Sequence, residues 1–271
     1  MELNILRADP AGNITVFVLD PVEKAQRAAI AEKIMAIPAL KAEQVGYACA
    51  AEDDVDGHME MMGGEFCGNA AISAAAIIIG CLEPDGGSAR ELVLEVSGVP
   101  NVVPVKICAE SGGYCGTVSM PLPESVSSFD FRLGDDTCTL PLVRFPGICH
   151  SIVSGGGLSR ETAQRCISDW CRQLDAEALG LMFYDESVGS LEPLVYVAST
   201  DTAVWESSCA SGTAAVAAYL ACARGGDVSI SLSEPCGVLS AEAVLRGGKV
   251  GSLKLTGKAV ILGKLKAEIG P

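Results

Sequence analysis

The chain has 271 residues, 49% of them hydrophobic, with 34 acidic against 19 basic side chains and a formal net charge of −15. That length and apolar content bury a sizeable core, in one large domain or two smaller ones. The acidic balance repels nucleic acid and anionic membrane surfaces, so neither is an expected partner.

Read in chain order, the first twenty residues lack the basic start and uninterrupted apolar stretch of a signal peptide. Residues 14–18 are β-branched and predict a strand, and 21–37 show helical periodicity. Residues 67–79 predict a second helix. The surrounding apolar run, roughly 70–82, is too short and too rich in Ala, Ser and Gly for a bilayer span of about 20 residues, so it reads as a buried central helix. Strands are predicted at 91–96, 102–107 and 114–120. Pro121 and Pro123 then resist both helix and central strand and mark a linker. Beyond it come helices over 159–174 and 209–223, with strands at 194–197, 228–232 and 252–254, the last continuing to 260–262. This order gives an α+β fold of two domains, 1–120 and 124–257, with a final strand from about 258 to 271 free to return to the first.

Twelve cysteines is a high count. In a chain of this size and apolar content they are expected as free thiols in a reducing compartment, the cytoplasm. The closest spacings are Cys166 to Cys171 and Cys108 to Cys115, and the histidines are His58 and His150. No metal site is expected from such spacing.

The chain reads as an internal repeat. Glu65-Phe66-Cys67-Gly68-Asn69-Ala70-Ala71 and Glu206-Ser207-Ser208-Cys209-Ala210-Ser211-Gly212-Thr213-Ala214-Ala215 each place a cysteine at a turn before small residues that enter an apolar helix. The two cysteines lie about half the chain apart, as an internal duplication would set them, and are expected to face one cleft. A helix N-terminus presents unpaired N–H groups and a positive dipole end, which hold an anion and lower the pKa of a nearby thiol. Two such ends grip a carboxylate and put one sulfur on each side of the adjacent carbon. A thiolate then removes the Cα proton of an amino acid while a thiol returns one to the opposite face. The carbanionic charge spreads onto a carboxylate already facing backbone donors, so no pyridoxal group is needed as an electron sink and no cofactor is expected.

Cys67-Gly68-Asn69-Ala70-Ala71 and Cys209-Ala210-Ser211-Gly212 resemble the two active-site motifs of the diaminopimelate epimerase superfamily of cofactor-independent amino-acid racemases and epimerases. Ala11-Gly12-Asn13-Ile14-Thr15-Val16-Phe17 is similar to that family's opening strand, and Gly147-Ile148-Cys149-His150 to its histidine-ended segment. The resemblance implies two pseudo-symmetric domains, each a sheet wrapped around a central helix. It also implies Cys67 and Cys209 as the catalytic pair, with Asn13, Gly68, Asn69, Ala210, Ser211, Glu206 and His150 around the substrate.

The departures from the family bear on substrate. Ile148 stands where diaminopimelate epimerases usually have asparagine and Ile72 where they have arginine; the Glu-Arg-Gly element before the second motif is missing. An uncharged lining suits a free amino acid without a second amino-acid head. The expectation is a histidine racemase, histidine racemases being one branch of the superfamily, with Trp205, Phe66 or Tyr47 as aromatic wall. A homodimer is compatible with this reading. Diaminopimelate epimerase is the alternative, and proline-racemase-like chemistry follows, because a scaffold does not dictate its reaction. From other classes come a non-catalytic carboxylate-binding module, disfavoured by two retained cysteines, and a redox protein pairing the two as a disulfide.

Overall fold

The computed structural model describes residues 1–49, 54–82 and 88–270. The protein is mostly β, with four α-helices and a closed eight-stranded barrel among the described residues. It divides into two compact units, Met1–Ser119 with Thr256–Pro271 and Met120–Leu255.

The first unit contains β1 (Glu2–Pro10), β2 (Thr15–Val18), α1 (Lys24–Met35), β3 (Gln44–Cys49), β4 (Gly57–Met61), α2 (Gly68–Leu82), β5 (Arg90–Val96), β6 (Val103–Glu110) and β7 (Gly113–Ser119). Its strands pair in chain order from β1 to β7, and β7 then pairs with β16 (Lys249–Glu268). Antiparallel pairing of β1 with β16, from Glu2 opposite Glu268 to Pro10 opposite Ala259, closes the barrel. The last strand thus returns to the first unit from Thr256 onward. It is one continuous 20-residue strand, longer at both ends than the run from 252 to 262 read from the sequence.

The second unit contains β8 (Ser125–Leu133), β9 (Asp136–Phe145), β10 (Ile148–Val153), α3 (Arg160–Gln173), β11 (Ala178–Asp185), β12 (Ser190–Val197), β13 (Thr202–Trp205), α4 (Ala210–Arg224), β14 (Val228–Glu234) and β15 (Gly237–Arg246). Its pairings repeat those of the first. β1/β2 and β9/β10 are antiparallel, β2/β3 and β10/β11 parallel, and β3/β4 and β11/β12 antiparallel. β4/β5 and β12/β14 are parallel, and β5/β6 and β14/β15 antiparallel. The duplication read from the cysteine segments is therefore a duplication of topology, in which α2 and α4 occupy the same step.

Burial explains why those two helices are built from small residues. α2 touches β1, β4, β5, β6 and β7, while α4 touches β8 to β11, β14 and β15. A helix enclosed on several sides is apolar all round, and close strands leave little room for long side chains. Ala70, Ala71, Ile72, Ala75, Ala76 and Ile79 of α2 are accordingly buried, as are Ala214, Ala215, Val216, Ala217, Ala218 and Ala221 of α4. The other two helices are one-sided. α1 buries Ile30, Ala31 and Ile34 in a cluster with Ile5, Val16 and Tyr47. α3 is capped by Ser159, whose hydroxyl accepts the Thr162 N–H at 3.2 Å, and Trp170 stacks on Phe131 with ring centroids 4.5 Å apart. Among the described residues no helix is long and apolar enough to cross a membrane.

Candidate active site

Cys67 stands at the mouth of α2, where its carbonyl accepts the Ala71 N–H at 3.0 Å. Its Sγ donates to Gln44 Oε1 at 3.3 Å and accepts the Ala70 N–H at 3.5 Å. Gln44 Nε2 donates to Thr15 Oγ1 at 2.7 Å, and that hydroxyl donates to the Asn13 carbonyl at 3.4 Å. One chain of contacts thus joins Asn13, Thr15, Gln44 and Cys67. Asn13 and Asn69 are both buried. The loop before Cys67 is held from behind by Ser97, which donates to the Glu65 carbonyl at 2.6 Å and accepts the Met61 N–H at 2.9 Å. Gly98 next to it has φ of +79°, and a Cβ there would stand 2.1 Å from the Phe66 nitrogen. Only glycine combines that conformation with so close an approach.

Cys209 is the N-cap of α4, and its carbonyl accepts the Thr213 N–H at 2.9 Å. Its Sγ lies 3.6 Å from Ser211 Oγ, which is 2.9 Å from His150 Nε2. His150 is wholly buried on β10, opposite Gly180 of β11. A Cβ at 180 would lie 2.3 Å from His150 Nδ1, so glycine makes room for the ring. Burial holds the imidazole pKa down to about 3, which leaves it neutral at ordinary pH. Glu234, at the end of β14, accepts the Cys209 N–H at 2.6 Å and the Thr213 hydroxyl. Burial pushes its carboxyl up to about 8, against the opposing pull of those two hydrogen bonds.

The sequence predicts two thiols acidified by helix ends, and for Cys209 the structure gives the opposite. Burial raises the thiol well above its ordinary value, and the carboxyls of Glu206 and Glu234 raise it further. Desolvation and neighbouring negative charge here outweigh the roughly half-unit positive charge of a helix end.

Within the second unit His150, Ser211 and Cys209 come together as one chain, and Glu206 acts on the same thiol. Glu206 also lines a 180 Å³ cleft with Arg160, Glu192, Pro193, Trp205, Ser207 and Pro235. Within the first unit Asn13 is linked to Cys67, while Gly68 and Asn69 open α2. In the second, Ala210 opens α4.

Two of the three aromatic candidates are otherwise engaged. Tyr47 is a core residue whose hydroxyl donates to the Arg27 carbonyl at 2.6 Å. Trp205 carries the Arg160 guanidinium 3.7 Å above its ring and packs against Phe183 at 5.4 Å. Trp205 also lines the cleft beside Glu206, and Phe66 is half-buried next to Cys67 in the chain. Gln44 and Glu234 were not anticipated: each is brought to its cysteine by strand pairing from more than 20 positions away.

Residues 2–267 match the family described as the histidine racemase CntK N-terminal domain. A histidine racemase of Fusobacterium nucleatum subsp. nucleatum is 33% identical over 224 residues, covering 80% of this chain and 81% of its own. One from Staphylococcus aureus is 27% identical over 217 residues, covering 78% and 77%. In fold, the chain is similar to a probable proline racemase from Agrobacterium radiobacter K84, solved with bound carbonate. The TM-score is 0.71 at 14% identity, over 99% of this chain and 94% of that one. The protein is an isomerase of the racemase and epimerase class, and the chain belongs to the histidine racemase family.

Proposed function

We propose that the protein interconverts L- and D-histidine without a pyridoxal cofactor, with Cys67 and Cys209 as its two acid–base groups. The carrying observation is that each cysteine occupies the mouth of an enclosed apolar helix at the same step of a repeated topology. In this reading one sulfur, as thiolate, takes the Cα proton. The other, as thiol, delivers its own proton to the opposite face. The substrate leaves inverted, and the two sulfurs have exchanged protonation states, so the next turnover runs in the reverse sense or follows proton exchange with water.

Backbone N–H groups of Gly68, Asn69, Ala210 and Ser211 at the two helix ends serve as donors to the substrate carboxylate, whose oxygens take up charge in the transition state. Asn13, Glu206 and His150 complete the surroundings of the amino acid. His150 acts as a neutral hydrogen-bonding partner of Ser211, since burial keeps its ring uncharged. Kinship with the diaminopimelate epimerases, including a sheet wrapped around each central helix, belongs to the same proposal. It is supported by the strands that α2 and α4 each touch.

Histidine is favoured by the relatives named above and by Ile148 and Ile72, which offer no charge to a second amino-acid head. Burying such a head unpaired costs several kcal/mol. Incubation with a panel of L-amino acids and LL-diaminopimelate, without added cofactor and read by chiral chromatography, is expected to show histidine among the best substrates. Fast epimerisation of LL-diaminopimelate with inert histidine would overturn the substrate assignment.

A further inference from the structure

Glu234 is a buried carboxyl that the two-thiol chemistry leaves without a task. It is 7% exposed, and its oxygens accept the Cys209 N–H and the Thr213 hydroxyl at the first turn of α4. The first unit is built differently at this step. There β5 ends at Val96, and the next side chain, Ser97, binds the Met61 N–H and the Glu65 carbonyl. The sulfurs differ as well. Cys67 is half-buried, its sulfur accepting the Ala70 N–H at 3.5 Å and donating to Gln44 Oε1 at 3.3 Å, whereas Cys209 is buried with the Ser211 hydroxyl 3.6 Å away and the Glu206 and Glu234 carboxyls acting on it. At Cys67 the backbone N–H favours the thiolate against the pull of the Gln44 acceptor, while at Cys209 burial and two carboxyls outweigh the Ser211 hydroxyl and favour the thiol.

We propose that Glu234 is a positioning residue, holding Cys209 at the mouth of α4 as a thiol so that the substrate-free enzyme rests with Cys209 as proton donor and Cys67 as acceptor. This rests on the two-cysteine reading above. It implies that the resting enzyme is primed for one enantiomer. The titratable groups acting on Glu234 are Glu206, from the turn before α4, and the Cys209 thiol whose own N–H it binds. Burial and Glu206 hold Cys209 as a thiol at neutral pH, and Glu234, which fixes its N–H, adds its own charge once it ionises at about 8.

The test is the pH dependence of iodoacetamide alkylation of the intact protein, mapped cysteine by cysteine by mass spectrometry, with thermal unfolding as a check of fold. In the wild type Cys67 is expected to react at lower pH than Cys209; the reverse order overturns the proposal without any variant. Glu234→Gln keeps the shape and an acceptor for the Cys209 N–H but removes the charge. It is expected to lower the Cys209 midpoint by about one unit, read as roughly ten-fold faster alkylation at a fixed pH between about 8, where Glu234 ionises, and that midpoint, and to leave Cys67 unmoved. Thr213→Val keeps the carboxyl and is expected not to lower the Cys209 midpoint.

An unchanged Cys209 midpoint in a folded Glu234→Gln protein, or an equal fall in Thr213→Val, overturns the assignment and leaves Glu234 as a merely structural contact. Loss of racemisation in Cys67→Ala and Cys209→Ala without any Glu234 effect overturns this inference alone. Full racemisation by either alanine variant overturns the reading beneath it.

Discussion

A single methyl group at Gly98 tests how the Cys67 loop is held. With φ of +79°, an alanine there adopts the left-handed conformation, at about 1–2 kcal/mol for an L-residue. Its Cβ would also stand 2.1 Å from the Phe66 nitrogen and 2.6 Å from the Glu65 carbonyl carbon, which are backbone and cannot rotate aside. Overpacking of this kind adds about 1–3 kcal/mol, so Gly98→Ala is expected to lose about 2–5 kcal/mol in total. In a domain of this size that lowers Tm by roughly 5–20 °C. Because the displaced peptide leads into Cys67, a shift of about 1 Å there is expected to cost on the order of 100-fold in kcat.

Gly134→Ala is the matched control. It shares a positive φ, +66°, but its Cβ would meet nothing within 4 Å, so only the conformational cost applies. Differential scanning calorimetry and a chiral racemisation assay on both variants read the two quantities. A Gly98→Ala protein no less stable than Gly134→Ala, with kcat within about two-fold of wild type, would refute the reasoning, since the close approach should cost at least 1 kcal/mol beyond the turn.

Three further outcomes are expected. His150 has a pKa depressed to about 3 by burial, so its stabilising contribution is full above its ordinary 6.5 and is lost as pH falls toward 3; the ceiling is about 5 kcal/mol. The stability advantage of wild type over His150→Gln should therefore shrink between those values in pH-dependent urea unfolding, and a constant difference would contradict it. Glu234 has the opposite sign: its raised carboxyl stabilises fully below its ordinary 4.5 and loses that contribution as pH rises through about 8, so Glu234→Gln should flatten the same curve between about 4.5 and 8. Gln44→Ala removes the acceptor for the Cys67 sulfur and the donor to Thr15, and steady-state kinetics should show kcat/KM reduced about ten-fold, the worth of about one lost hydrogen bond.

The sequence carried the helices and the cysteine segments well because both are local. The predicted helices over 67–79 and 209–223 fall on α2 and α4, and the small residues after each cysteine mark enclosed helices. Several strands of both units were not legible. β1, β4 and β8 mix buried positions with more open polar ones, β11 is a nearly continuous buried run that periodicity alone assigns to neither strand nor helix, and β3 is cut short of a full apolar run. Their identity as strands comes from neighbours distant in the chain, and this is why an expected α+β balance became a mostly β molecule. The site shows the same division. Cys67, Cys209 and Ser211 sit in segments that announce themselves, whereas Gln44 opens a strand and Glu234 closes one. A lone glutamate before Pro235 was the only trace of the latter. Contacts of Tyr47 with Arg27 and of Trp205 with Arg160 are set by tertiary packing and have no trace in the sequence.

The central claim is that two thiols share one proton transfer, and the direct measurement is racemisation of enantiopure histidine in D₂O by wild type, Cys67→Ala and Cys209→Ala, each checked for fold. The wild type is expected to place deuterium at Cα of the inverted product from either enantiomer, while each alanine variant stays folded and yields none. Near-normal racemisation by either variant, or inversion without deuterium uptake from either enantiomer, would contradict the account.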